Sequence, residues 1–165
     1  MTTVENRRPA AMWLVLSVCI VLADQLSKDY ITRHFGEFEF ISVLPVLDIT
    51  RMHNVGAAFS FLAESHSQWR GVFLVGVSLV VTTIIGIMLF RPAVKKSLML
   101  EIALALVLGG AAGNLWDRLF RGTVTDFLQL FFGSYEYPSF NVADSAIFTG
   151  ACLLMLDLWK NRAKS

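Results

Sequence analysis

Charge is the scarcest commodity in this sequence. Of 165 residues, 14 are Lys or Arg and 13 are Asp or Glu, so 16% are charged against 55% hydrophobic, and the mean hydropathy is +0.59. A soluble domain carries about 25% charged residues. This chain is short of the polar surface that water requires, and the same composition excludes intrinsic disorder. A net charge of +1 supplies no basic field, so no nucleic-acid partner is expected. The two cysteines, Cys19 and Cys152, are too few for a disulfide framework and lie in apolar runs, where a thiol acts as a small hydrophobe. No H-E-x-x-H occurs, and His34, His53 and His66 lack ligand spacing, which argues against a zinc peptidase. No G-x-S-x-G and no glycine-rich phosphate loop is present, so no metal, nucleotide or other cofactor is expected.

Long apolar runs, by contrast, are plentiful. Four approach the length of about 20 residues that crosses a bilayer. They predict an all-α membrane protein with one domain over 1–165 and helices at about 10–29, 71–90, 97–116 and 139–159. Positive charges gather beside the termini and between the second and third spans: Arg7, Arg8, Arg91, Lys95, Lys96, Lys160, Arg162 and Lys164. The positive-inside rule then places both termini in the cytoplasm, with Trp13 and Trp159 at the inner interface and Trp69 and Trp116 at the outer one. Two segments fall outside, about 30–70 and 117–138. The first has β-prone stretches at 37–41 and 46–52, punctuated by Gly36, Pro45 and Gly56, which predicts a small sheet on the membrane. The second is polar at Asp117 and Arg118, then apolar over 127–132; that run is too short to span and reads as an interfacial segment.

Ionisable residues inside spans are costly and therefore informative. Glu101 and Asp157 fall within about a turn of the inner interface and read as solvated helix ends. Asp144 falls about seven residues into the last span, roughly 10 Å below its outer end. Asn141, three residues earlier, shares its helix face and either caps the helix or orients the carboxylate. Asp126 lies in the loop 122–127 on the same outer side. Alone it reads as a turn residue; beside Asp144 it forms a pair of carboxylates that cannot both ionise easily, one held protonated as general acid while the other activates water. Asn114 and Arg118 stand at i, i+4, and Arg118 either snorkels or holds a carboxylate, carbonyl or phosphate. Gly109 and Gly113 have the spacing that lets a second helix approach closely, which brings Asn114 near a partner helix. Asp24 and Lys28 are also i, i+4, either a plain interfacial ion pair or a positioning pair. Asn54 and Gly56 open a loop of small residues that is either an ordinary turn or backbone approaching a ligand. Three functional classes compete: a membrane aspartic peptidase, a proton-coupled transporter using Asp24 and Asp144, and a non-catalytic adaptor. The clustering of polar candidates on one side, with no inverted repeat, favours the peptidase.

Four blocks resemble the bacterial lipoprotein signal peptidases (signal peptidase II, or prolipoprotein signal peptidase). They are Asp24-Gln25-x-x-Lys28; Asn54-x-Gly56-Ala57-Ala58-Phe59; Gly109-Gly110-Ala111-x-Gly113-Asn114-x-x-Asp117-Arg118 with Val124-x-Asp126-Phe127; and Phe140-Asn141-x-Ala143-Asp144. Order, spacing and the four-span layout match over essentially the whole chain. The resemblance implies a multi-pass aspartic endopeptidase of the bacterial inner membrane with its active site on the periplasmic side. It implies cleavage of prolipoproteins just before a diacylglyceryl-modified cysteine, catalysis by Asp126 and Asp144, and positioning by Asn54, Gly56, Asn114, Arg118, Asn141, Asp24 and Lys28. It also implies action as a monomer among membrane lipids, no cofactor, and inhibition by the cyclic peptide globomycin.

Overall fold

The computed structural model describes residues 10–56, 67–91 and 97–162. Four helices, each long and apolar enough to cross a membrane, form α1 (Ala10–His34), α2 (Ser67–Phe90), α3 (Leu98–Phe120) and α4 (Val142–Arg162). Their cores match the expected spans, and their ends shift. α1 continues to His34 and α3 passes through Asp117 and Arg118 to Phe120. Asp117, read as lying just beyond the span, is instead ion-paired with Lys28 inside the bundle, so α3 need not stop at it. α4 begins at Val142, and Asp144 lies in its first turn rather than deep in the span. Of the inner basic residues, Arg7, Arg8, Lys95, Lys96 and Lys164 lie outside the described residues, as do Ala57, Ala58 and Phe59 of the second block.

Burial follows the helical period. On α1, Trp13, Ser17, Asp24, Lys28 and Ile31 are buried on one side, while Val15, Val18, Leu22 and Leu26 are exposed on another. An apolar stripe left open this way suits lipid rather than water. α3 is the central helix and packs against the other three. Its glycines allow the approach: a Cβ on Gly109 would sit 2.7 Å from the Ser17 carbonyl of α1, and one on Gly110 would overlap the Ala143 carbonyl of α4. The expected close contact at Gly109 and Gly113 is therefore made, with α1 as the partner. Ser17 Oγ donates to the Ala105 carbonyl across this contact at 2.9 Å. Below it, Trp13, Leu89, Leu104, Ala105 and Leu108 form the apolar core.

At the end of the bundle away from the strands, Ser97 caps α3 by accepting from the Leu100 amide at 3.0 Å, and its hydroxyl donates to Asp157. Asn161 also donates to Asp157, at 3.0 Å. Asp157 is thus buried and bonded, not the solvated helix end its position suggested.

The other end carries one antiparallel sheet in the order β1 (Phe40–Leu44), β2 (Leu47–Asn54), β3 (Val124–Phe132), β4 (Tyr135–Glu136). The apolar run 127–132, read as a separate interfacial segment, is the body of β3. Pairing with β2 satisfies its backbone polar groups, a contact no local pattern reveals. The register sets Met52 opposite Asp126 and Asn54 opposite Val124. On the far edge of β3, the Phe127 and Leu128 amides both donate to the Phe140 carbonyl, at 3.0 and 2.9 Å. That bridge delivers the chain to the start of α4 beside Asp126.

Candidate active site

Three asparagines from three elements surround the two carboxylates. Asp126, on β3, is 1% exposed. One of its oxygens accepts from Asn141 Nδ2 at 2.6 Å and the other from Asn54 Nδ2 at 2.8 Å. Asn54 is turned that way because its own Oδ1 accepts from the Gly56 amide at 2.7 Å. Gly56 has φ +88°, in the left-handed region, and a Cβ there would overlap Leu74 of α2.

Asp144 is held by a reciprocal cap. Asn141 precedes α4, and its Oδ1 accepts from the Asp144 amide at 2.9 Å, while Asp144 Oδ2 accepts from the Asn141 amide at 3.3 Å. Both readings of Asn141, cap and orienting group, are realised at once. The remaining Asp144 oxygen accepts from Asn114 Nδ2 at 2.7 Å. Every oxygen of the two carboxylates thus receives an amide N–H, and the N-terminus of α4 favours negative charge at Asp144.

Behind Asn114 lies a buried ionic cluster. Lys28 Nζ contacts Asp24 Oδ2 and Asp117 Oδ2, both at 2.7 Å, and donates to Asn114 Oδ1 at 3.1 Å. Arg121 closes on the other Asp117 oxygen at 2.6 Å, and Gln25 donates to both Asp24 and Asp117. Asp24 Oδ1 accepts from the Ala143 amide at 2.9 Å, fixing the start of α4 against α1. The Asp24–Lys28 pair is thus a fully buried junction, not an interfacial ion pair. Asp117, Arg121 and Gln25 carried no role in the sequence reading. Their only local signals are the i, i+4 spacing of Asp117 and Arg121 and the position of Gln25 beside Asp24.

Arg118 donates weakly to Ser78 Oγ and to the Asn114 carbonyl, at 3.3 and 3.4 Å. The carboxylates whose charge bears on it are Asp144, then Asp126 and Asp117. Among the described residues no carboxylate is ion-paired with it, and a guanidinium has five donors in a planar fork. With one proton on the pair of aspartates, their charge and that of Arg118 cancel. Beside Asp144 runs an apolar groove of about 440 Å³ lined by Leu130, Phe132, Tyr137, Phe140 and Phe148. Among the described residues, no cluster of three or more His, Cys, Asp and Glu side chains is placed to hold a metal ion.

Burial pushes the Asp126 carboxyl up to about 6, the Asp144 charge adds to the rise, and hydrogen bonds from Asn54 and Asn141 oppose it. An unfolded Asp titrates near 4, so between these values the folded chain binds the extra proton. The stability this contributes is complete below about pH 4 and is lost as pH rises through about 6, at most about 3 kcal/mol. Unfolding midpoints in detergent from pH 4 to 7.5 are expected to fall more steeply for the native chain than for Asp126→Asn. Parallel curves would contradict the shift.

Comparison with solved structures supplies the class. A bacterial membrane enzyme structure determined by the in meso method at 1.9 Å resolution aligns with TM-score 0.79 and 28% identity over 90% of this chain and 92% of that one. A second such structure, at 2.3 Å resolution, gives TM-score 0.81 and 27% identity over 94% and 92%. Lipoprotein signal peptidases of Yersinia pestis (strain Pestoides F) and Yersinia pseudotuberculosis serotype O:3 (strain YPIII) are each 39% identical over 145 residues, 88% of this chain and 85% of theirs. The family model for signal peptidase (SPase) II matches residues 16–160. The chain belongs to the signal peptidase II family and is by that membership a membrane peptidase.

Proposed function

We propose that this protein is an aspartic endopeptidase that removes signal peptides from prolipoproteins, cutting just before the diacylglyceryl-modified cysteine. The observation that carries the reading is Asn141, which donates to Asp126 and caps the helix that bears Asp144, so that one side chain fixes both carboxylates. In this mechanism Asp126, the more deeply buried, carries the proton. Asp144, half-buried at a helix N-terminus, is the carboxylate that takes a proton from the attacking water. Asp126 donates its proton to the scissile carbonyl oxygen, giving a neutral tetrahedral diol. As the diol collapses, Asp144 passes its proton to the leaving amine nitrogen, a diol hydroxyl returns a proton to Asp126, and the C–N bond breaks.

Asn54, Asn114 and Asn141 hold the carboxylates at fixed orientation, and Arg118 is placed for a substrate carbonyl. Gly56, Asp24 and Lys28 position these groups. The apolar groove beside Asp144 suits a residue that carries acyl chains. The charge pattern supports an inner-membrane enzyme with both termini cytoplasmic, which opens the dyad toward the periplasm, where the end of a signal helix emerges. The whole chain acts as one peptidase unit and as a monomer, without a metal or nucleotide.

The test is cleavage by the purified protein in lipid or detergent. A diacylglyceryl-modified precursor is expected to be cut immediately before the modified cysteine, as read by product mass, and globomycin is expected to stop it. Chelators should leave the rate unchanged. A folded protein that leaves the modified precursor intact would return the choice to a transporter or an adaptor.

A further inference from the structure

We infer that Lys28 is a positioning residue that fixes the amide of Asn114, and through it the hydrogen bond received by Asp144, without touching substrate itself. The inference rests on the two-aspartate reading above.

An asparagine amide can sit either way round, and only one way puts its NH2 on a carboxylate. At Asn114 the carbonyl end meets two donors, Lys28 Nζ at 3.1 Å and Asn141 Nδ2 at 3.3 Å. Turning the amide over would set its NH2 against an ammonium and its oxygen against the Asp144 carboxylate. Lys28 is the charged and nearer of the two donors. It donates hydrogen bonds to Asp24 and Asn114 and lies 2.7 Å from Asp117 Oδ2 as an ion pair. With Arg121 on Asp117, the cluster holds two cations and two anions. The opposite charges thus balance around a side chain of which no part reaches solvent. A purely structural ion pair needs only the two carboxylates; the third contact points the ammonium at the group that feeds Asp144.

The experiment is a double-mutant cycle on kcat. Lys28→Met alone would strand two buried carboxylates, so the cluster is neutralised as a unit with Asp24→Asn, Lys28→Met, Asp117→Asn and Arg121→Gln. Asparagine at 24 keeps an acceptor for the Ala143 amide. Asn114→Ala is expected to lower kcat by about 10- to 100-fold, the worth of a hydrogen bond to a charged group, with KM little changed. The neutral cluster is expected to lose a similar factor, and the combination to fall no further than about threefold below either. A combined loss equal to the product of the two, or wild-type kcat in a folded neutral cluster, would overturn the inference.

If the neutral cluster does not fold, Asn114→Asp decides. It keeps an acceptor for Lys28 but replaces the donor to Asp144, 2.7 Å away, with a second carboxylate oxygen, so its kcat should fall at least as far as that of Asn114→Ala. Wild-type kcat in Asn114→Asp would overturn the inference equally. Failure of the parent reading looks different: Asp126→Asn and Asp144→Asn would both still cleave.

Discussion

Replacing Asp144 with Asn is expected to lower cleavage of a lipid-modified precursor by about 10²- to 10⁴-fold, the range set by loss of a general base. The change is close to isosteric. It keeps an oxygen that can accept from either Asn114 or Asn141, and asparagine is tolerated near a helix N-terminus. It removes the charge that takes the proton from water. Asp144 is only half-buried, so the new NH2 can turn toward the open side instead of confronting an amide donor. Tm should therefore stay within a few degrees of the parent while activity disappears. Asp126→Asn should be as inactive but less stable. Both Asp126 oxygens accept from asparagine NH2 groups, and an amide there must meet one of them donor to donor. Rate and thermal unfolding measured on the same preparations separate the two effects. Full cleavage by a well-folded Asp144→Asn protein would remove the mechanism.

The second large effect is expected at a residue that carries no side chain at all. Gly110→Ala adds one methyl at the tightest point between α3 and α4, where it would overlap the Ala143 carbonyl and lie 2.8 Å from Ile147 Cγ1. The carbonyl belongs to a helix and has no room to withdraw, so the helices must separate. Overpacking of this kind costs about 1–3 kcal/mol. Ala143 adjoins Asp144, so a separation of about 1 Å is transmitted directly to the carboxylate, and activity should fall about 100-fold, as for other misplacements of reacting groups on that scale. Gly86→Ala on α2 is the control. A Cβ there meets nothing within 4 Å, and alanine is the better helix former by about 1 kcal/mol. Its Tm should hold or rise, with wild-type cleavage. Equal Tm values for both variants would mean that the α3–α4 contact is looser than described.

The sequence made the four spans legible because lipid demands long apolar runs, and it made Asp126, Asp144 and the three asparagines legible because polar residues are rare enough there to stand out. What it concealed was pairing at a distance. The stretch 127–132 has the length and apolarity of an interfacial segment, and only the partner strand 47–54 makes it β3. Asp117 resembled a helix terminus because its counter-ion Lys28 lies on another helix. The same blindness placed Asp157 in solvent, since nothing local announces that Ser97 and Asn161 will reach it. The depth of Asp144 was misjudged for a different reason. The apolar residues before Asn141 belong to the edge of the sheet, and hydropathy does not distinguish those from the first turn of a helix.

The buried cluster at the junction of α1 and α3 also bears on how the chain enters the bilayer during synthesis. A lone charge in the middle of a helix costs upward of about 2.5 kcal/mol to insert, and Asp117 is made long after Asp24. Yet each helix carries its own neutraliser one turn away: Lys28 for Asp24 on α1, and Arg121 for Asp117 on α3. α1 can leave the translocation channel as a self-compensated helix, and α3 can do the same later. The cross-helix contact between Lys28 and Asp117 then forms by exchange between two pairs that are already satisfied. A substitution that breaks one local pair, such as Arg121→Gln, would therefore burden the newborn helix before it could disturb the finished enzyme.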